Sequence, residues 1–186
     1  MSEQFHEEVV IKRNKGAENI LFAFSAVVMI ISGFYAFFTI NMLITIIFSQ
    51  GFSTVLLLDI IMALISLVAC ILLFIHRDKI RTEYEYTFTS GVLDFARVYN
   101  NKKRKNLGSM TLKNIEACGL VTSGSFKRYS SMPGVKMINW FLNRDSELFY
   151  LYFVKEGAKQ IVVMEPSEKL IGLIKRSAGH GKYQIN

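Results

Sequence analysis

The chain has few of the residues from which disulfide frameworks, metal sites and redox centres are usually built. Its 186 residues include only two cysteines and three histidines. Cys70 and Cys118 lie in stretches of different character and form no C-x-x-C pair, which argues against a disulfide or a cysteine-rich metal site. His6, His76 and His180 are far apart in the sequence. The sequence therefore predicts two unreactive thiols, no metal and no cofactor.

Recognisable catalytic motifs are also absent. The sequence contains no phosphate-binding glycine loop, no H-E-x-x-H pair, no nucleophile elbow and no paired-carboxylate setting. We therefore expect a protein that is not an enzyme and has no catalytic residues.

Charge is missing from a long central segment. Residues 20–48 carry no charged side chain, and residues 52–75 carry one, Asp59. About 20 helical residues cross the roughly 30 Å hydrocarbon core of a bilayer. The first run is too long for a secretory signal and no cleavage site follows it. The sequence predicts an uncleaved, two-span transmembrane hairpin at residues 20–75, hinged at residues 49–51.

Two polar residues fall near the predicted far edge of the membrane, Asn41 and Asp59. Asp59 fits an interfacial carboxylate at a helix N-terminus, and the alternative is a proton or ion site. Residues 42–55 either extend both helices or lie among the headgroups. A single tilted helix reaching Phe48 is a further alternative.

Basic residues flank the hairpin on both outer sides. They are Lys12, Arg13 and Lys15 before it and Arg77, Lys79 and Arg81 after it. The connection between the spans has no lysine or arginine, so the positive-inside rule predicts a multi-pass cell-membrane protein with both termini cytoplasmic. Residues 1–19 form a predicted cytoplasmic tail, in which residues 9–11 suit a strand or a helical turn. Residues 76–186 form a predicted cytoplasmic domain.

This C-terminal domain is strongly basic, with 19 lysines and arginines against 10 acidic residues. Beside a bilayer, such charge is attracted to anionic headgroups at about 1 kcal/mol per basic residue. A nucleic-acid partner is disfavoured by the membrane tether and by the lack of a nucleic-acid-binding motif. We expect the lipid bilayer and a protein in the membrane as partners, and the sequence leaves the oligomeric state open.

The domain begins with strand-like alternation and ends with a helix. Aromatic and polar residues alternate over residues 84–89, and Ser90-Gly91 suits a turn before a second strand at residues 92–99. After Pro166, an apolar face formed by Leu170, Ile171, Leu173 and Ile174 predicts an amphipathic helix. The predicted fold is α+β: an antiparallel sheet or partly open barrel capped by a C-terminal helix.

The segment from Glu85 to Val121 resembles bacterial pleckstrin-homology (PH)-like domains. It shows their Tyr-x-hydrophobic-Thr-x-Gly opening at residues 86–91, a basic turn, and the Ser-hydrophobic-x-Leu-x-x-Ile step at residues 109–115. Such domains commonly follow one or two membrane spans, and the whole chain is similar to a bacterial two-span membrane protein family. The resemblance implies a PH-like fold and a contact or assembly role. Residues 122–147 depart from it, because they exceed the usual short turn.

Two segments supply candidate contact residues. Lys102, Lys103, Arg104 and Lys105 form a basic turn that suits anionic lipid headgroups or is simply solvated. The second set comprises Phe126, Lys127 and Arg128, in a predicted flexible loop, with Trp140 and Phe141. This set suits a membrane interface or a protein partner, and the alternative is a strand or short helix that adds to the core.

The function that the sequence predicts is a membrane-anchored, non-enzymatic binding or scaffold module. It would display a basic PH-like domain at the inner leaflet, where the domain contacts a protein partner or anionic lipid. A lipid-surface sensor is one alternative. The other is a subunit of an oligomeric transporter or small channel, because two spans alone do not form a pore.

Overall fold

A computed structural model describes residues 4–185, so residues 1–3 of the predicted tail and residue 186 of the predicted domain lie outside the described residues. The chain divides into two compact units. The helical unit comprises residues 14–81. The sheet unit combines residues 4–13 with residues 82–185.

The helical unit consists of two long antiparallel helices. Helix α1 spans Gly16–Gln50, and α2 spans Leu57–His76. A 3-10 turn at Thr54–Leu56 precedes α2, and another at Arg77–Ile80 follows it. Both helices are long and apolar enough to cross a membrane. Residues 42–50 continue α1, which leaves only residues 51–53 as the connection.

Small residues bring the two helices into contact. Ala36 of α1 and Ala63 of α2 are buried. A Cβ added at Gly33 would lie 3.2 Å from the Cys70 sulfur, so the helices are close at this level. Most large apolar side chains of both helices point outward and are exposed, the distribution expected of helices that face lipid.

The sheet unit contains two open sheets and two further helices. Sheet 1 is an antiparallel meander in the order β1-β2-β3-β4, and sheet 2 has the order β6-β8-β7-β5-β9. The strands are β1 Phe5–Val10, β2 Thr82–Thr89, β3 Val92–Tyr99, β4 Lys103–Thr111, β5 Ile115–Leu120, β6 Lys136–Trp140, β7 Phe149–Lys155, β8 Ala158–Met164 and β9 Tyr183–Gln184. The helices are α3 Gly124–Ser130 and α4 Glu168–Ala178.

The core lies between the two sheets and α4. Alternation in β2 turns Tyr84, Tyr86 and Phe88 to one face, and all three are buried. Helix α4 adds four buried aliphatic side chains, Leu170, Ile171, Leu173 and Ile174. The Ser167 hydroxyl caps α4 by accepting a hydrogen bond from the Leu170 N–H.

Three features differ from the predictions. The two sheets are open, which agrees with the first of the two predicted alternatives, but sheet 2 is not wholly antiparallel, because β6 pairs in parallel with β8 and β9 with β5. The predicted flexible loop contains α3, whose N-cap is Ser123. The predicted tail contributes β1, whose six residues all pair with β2. His6 and Glu8 are polar and lie on the same face of β1 as Val10. Strand β1 therefore lacks the alternation of apolar and polar residues by which a strand is recognised in a sequence.

Candidate functional site

The helical unit is inserted between the first two strands of the sheet unit. Strands β1 and β2 are antiparallel neighbours, with Val10 opposite Tyr84, yet the chain between them contains both long helices. An ordinary hairpin connection has about two to five residues. The sheet unit is therefore discontinuous in sequence, and its two junctions to the helices lie at one end of sheet 1.

A buried asparagine, Asn143, is hydrogen-bonded to the first junction, where the chain passes from β1 to α1. Asn143 accepts a hydrogen bond from the Arg13 backbone N–H at 2.9 Å and donates from Nδ2 to the Ile11 carbonyl at 3.0 Å. The same amide nitrogen donates to the Glu165 carboxylate at 2.9 Å. Arg13 also forms an exposed ion pair with Asp145 at 3.3 Å. The chain that leads into α1 is thus bonded to the ends of sheet 2.

The hydroxyl of Tyr86 adds a second buried bridge at this end. It donates to the Trp140 carbonyl and accepts from the Glu165 N–H at 3.3 Å. Burial raises the pKa of Tyr86, and the neighbouring carboxylates of Glu165 and Glu8 raise it further. The phenol therefore stays protonated and acts as a fixed donor between β2 and sheet 2.

The second junction, where the chain passes from the 3-10 turn at Arg77–Ile80 into β2, lies beside the basic turn at residues 102–105. Thr82 opens β2 opposite Tyr99, the last residue of β3, and Tyr99 is opposite Lys103 on β4. Asn100 and Asn101 adopt positive φ values of 50° and 53° in the turn, a conformation that asparagine tolerates. The register therefore places the β3–β4 turn at the end of sheet 1 where the chain leaves the helices.

The predicted basic cluster is divided between two faces of β4. Lys103 and Lys105 share one face, opposite Tyr99 and Arg97. Arg104 points to the other face, where its Nε lies 2.8 Å from the Glu85 carboxylate. All three side chains and Lys102 in the turn are exposed. The four residues that the sequence groups together thus have different surroundings.

Helix α3 and the aromatic candidates cover the outer face of sheet 2. The Phe126 ring lies 5.4 Å from that of Tyr150, and Tyr129 stacks on Tyr152 at 4.5 Å. The Tyr150 hydroxyl donates to the buried Ser125 hydroxyl at 2.9 Å. Phe141 is half-buried against the same cluster. This segment has the packing role that the sequence offered as the alternative to an exposed contact surface.

Trp140 also packs internally. It ends β6, is half-buried, and its ring lies 4.6 Å from Phe95 in the main core. Only Lys127 and Arg128 of the predicted contact set are exposed, on α3. The side chain of Arg128 lies over the Tyr129 ring at 4.8 Å.

The two polar candidates in the helical unit have local surroundings. The Asn41 side chain donates to the Phe37 carbonyl at 2.7 Å, so its amide is bonded within its own helix. Asp59 lies half-buried in the first turn of α2, where the helix dipole favours a carboxylate. Their position at a membrane edge stays a prediction.

No metal-type cluster occurs among residues 4–185, where no three histidine, cysteine or acidic side chains are grouped. Both cysteines are free, and burial raises the pKa of the Cys118 thiol to about 11. The protonated thiol is a poor nucleophile and metal ligand at neutral pH.

Sequence reasoning missed the junction network. Glu165 is hydrogen-bonded to Asn143 and to Tyr86, which lie 22 and 79 positions before it in the sequence. A single Asn or Glu carries no periodic signal, so nothing in the local pattern marks these residues.

Comparison with curated proteins and with solved structures found no match. A family described as bacterial PH-like domain (DUF6106) matches residues 2–182, nearly the whole chain, including the inserted helices. Its description agrees with the sheet-rich unit of the structure, and it indicates a binding or scaffold module in general. The chain belongs to the bacterial PH-like domain family DUF6106.

Proposed function

We propose that the protein is a membrane-anchored, non-enzymatic scaffold that displays its PH-like sheet unit at the inner leaflet to bind a protein partner. The observation that carries this proposal is the insertion of the helical hairpin between β1 and β2. Both junctions belong to one end of one sheet, which supports a topology in which both ends of the hairpin lie on the same side of the membrane as the sheet unit.

The flanking charges support a cytoplasmic side for that unit. Basic residues stand at both junctions, and the connection between the helices at residues 51–53 has none. For the partner, the exposed Lys127 and Arg128 of α3 offer a basic surface on a rigid support, since the aromatic side of α3 is packed on sheet 2.

Two measurements on the full-length protein test the proposal. A cysteine introduced at Gln50 should react with a membrane-impermeant maleimide added outside intact cells, whereas one introduced at Glu156 should react only after permeabilisation. The reverse pattern would refute the inner-leaflet assignment.

Binding is tested by co-purification in mild detergent. A specific partner should be retained by the wild-type chain and lost from the double variant Lys127→Glu/Arg128→Glu. The matched control is Lys155→Glu/Lys159→Glu, which changes charge equally in exposed residues of β7 and β8. Equal recovery from both double variants would show that α3 is not the contact surface.

A further inference from the structure

We propose that the helical unit holds one anionic phospholipid: Arg77 and Arg81 bind its phosphate, and an apolar groove between α1 and α2 holds an acyl chain. This groove, here termed the lipid groove, is lined by Gly33, Phe34 and Phe37 of α1 and by Cys70, Ile71 and Phe74 of α2. The inference rests on the proposed function in one respect, because it requires the helices to lie in a bilayer. Every residue of the site belongs to the helical unit.

The lipid groove is large and apolar. Its volume is about 810 Å³, and its walls are apolar side chains, Gly33 and the Cys70 thiol. Gly33 has no side chain and Cys70 has a short one, so a depression remains between the exposed rings of Phe34 and Phe74. Sites for small molecules have volumes of about 300–1,000 Å³. The lipid groove therefore has the size of a ligand site and the chemistry of a hydrocarbon site.

Two arginines converge on one aromatic ring in the same unit. The guanidinium carbons of Arg77 and Arg81 lie 4.4 and 4.1 Å from the centroid of the Phe22 ring. Arg81 donates from Nη2 to the Asn19 side-chain oxygen at 2.9 Å. The Nε of Arg77 is buried and has no hydrogen-bond partner among residues 4–185. A buried donor without an acceptor is unfavourable, and a phosphate oxygen is an acceptor that guanidinium groups bind strongly.

Helical periodicity places these cations at the end of the lipid groove. Phe22 precedes Met29 by seven positions and Gly33 by eleven, close to two and three helical turns, so the three residues share one face of α1. Arg77 follows Cys70 by seven positions and keeps helical backbone angles. The face of α2 that carries Cys70 therefore continues to Arg77, and the phosphate site lies in line with the groove.

The length of the site corresponds to one leaflet. Phe22 and Phe37 are fifteen positions apart, about 22 Å along the axis of α1. One leaflet with its headgroups is about 20–22 Å deep, half of the full bilayer thickness. Beyond Phe37 the helices pack closely, and Leu43, Leu56 and Ala63 are buried between them. A lipid of one leaflet fits this length, whereas a further transmembrane helix continues through both leaflets.

The charge at this end of the hairpin favours an anionic headgroup over a zwitterionic one. Four basic residues lie there against two acidic ones, namely Lys15, Arg77, Lys79 and Arg81 against Glu18 and Asp78. The guanidinium fork matches phosphate oxygens in geometry, and a basic pocket between transmembrane helices is a recognised kind of site for anionic headgroups. Lys15 and Lys79 are exposed, whereas Arg77 and Arg81 are half-buried. The arginines therefore provide the fixed part of this charge.

The test uses the purified full chain in phosphatidylcholine nanodiscs that contain a trace of photoactivatable lipid. The probe carries a diazirine on one acyl chain and either a glycerol headgroup, which leaves it anionic, or a choline headgroup. Mass spectrometry maps the labelled residues. We expect the anionic probe to label residues 29–37 and 70–75 at least about threefold more than the choline probe, with equal labelling of residues 42–56. Equal labelling of the groove by both probes would overturn the inference.

Two double variants test the role of the arginines. Arg77→Gln/Arg81→Gln should reduce labelling of the groove by the anionic probe to the level of the choline probe. Lys15→Gln/Lys79→Gln removes the same charge from the same end and should retain the wild-type preference. Equal loss in both double variants would show that the preference follows overall surface charge, which contradicts a site at the arginines.

A second copy of the chain is the competing occupant of the lipid groove. In a Cys118→Ala background, Cys70 is the only thiol and serves as the reporter. With lipid in the groove, oxidation by copper phenanthroline should leave the chain monomeric on a non-reducing gel. Rapid formation of a dimer linked by Cys70, together with no lipid labelling of the groove, would assign the groove to a second copy and refute the lipid site.

The two proposals fail in different ways. A chain that carbonate extracts from the bilayer does not span it, which would refute the proposed function and this inference together. A chain that resists extraction but shows no preference for the anionic probe would refute the lipid site alone.

Discussion

At the scale of single residues, Asn143 has the largest predicted effect on stability. Replacing it by alanine leaves the Ile11 carbonyl, the Arg13 N–H and part of the Glu165 carboxylate without their partner. Buried groups stripped of hydrogen bonds cost about 1–3 kcal/mol each, so we expect Asn143→Ala to lower the free energy of unfolding by about 2–4 kcal/mol.

Trp140 provides the measurement for this prediction. It is the only tryptophan in the chain and packs against Phe95 in the sheet unit, so its fluorescence reports denaturation of that unit. Asn139→Ala is the matched control, because Asn139 is exposed on the same strand as Trp140. A similar midpoint for both variants would show that the Asn143 network contributes little.

The raised pKa of the Cys118 thiol predicts that the free energy of unfolding depends on pH. Its folded pKa is raised to about 11 from an ordinary value near 9, chiefly by burial. Between these values the thiol ionises in the unfolded state and stays protonated in the folded state, so stability falls as pH rises. The wild-type advantage over Cys118→Ala should shrink by about 2 kcal/mol between pH 8 and pH 11. A constant difference in denaturation midpoint would contradict this.

At the scale of elements, α3 is predicted to stabilise sheet 2. Phe126 packs on Tyr150, and the helix covers the outer face formed by β7 and β8. Phe126→Ala should therefore cost about 2 kcal/mol of unfolding free energy, whereas Lys127→Ala on the exposed side should be within about 0.5 kcal/mol of wild type. Equal stability of the two variants in denaturant titrations would show that the packing of α3 does not stabilise sheet 2.

The elements that sequence reasoning located have strong periodicity, and those it missed do not. The alternation of Tyr84, Tyr86 and Phe88 and the apolar face of α4 each repeat often enough to identify a strand and a helix. Strand β1 has polar His6 and Glu8 on its core side. The Glu8 carboxylate accepts hydrogen bonds from Ser167, at the start of α4, and this tertiary partner is invisible in a local pattern. Seven-residue α3 is too short to show a helical period.

At the scale of the whole molecule, the discontinuous sheet unit could not be predicted either. Two apolar runs between a polar start and a strand-rich remainder are typical of an anchor followed by a domain. Only the pairing of residues 5–10 with residues 84–89 reveals that the domain begins before the anchor. Such pairing depends on contacts about 80 positions apart, and the sequence pattern carries no signal for them.

Excision of the hairpin tests this arrangement. Because Val10 and Tyr84 are opposite each other on neighbouring strands, a four-residue Gly/Asn/Ser linker should replace residues 14–81 without straining the sheet. We expect the shortened protein to be soluble and monomeric by size-exclusion chromatography, with cooperative denaturation followed by Trp140 fluorescence. Residues 82–185 alone lack β1, so the edge of β2 and buried Tyr84 and Tyr86 lose their cover, and this fragment should aggregate. If the fragment without β1 is the stable monomer and the linked protein aggregates, β1 is not an integral strand of the domain.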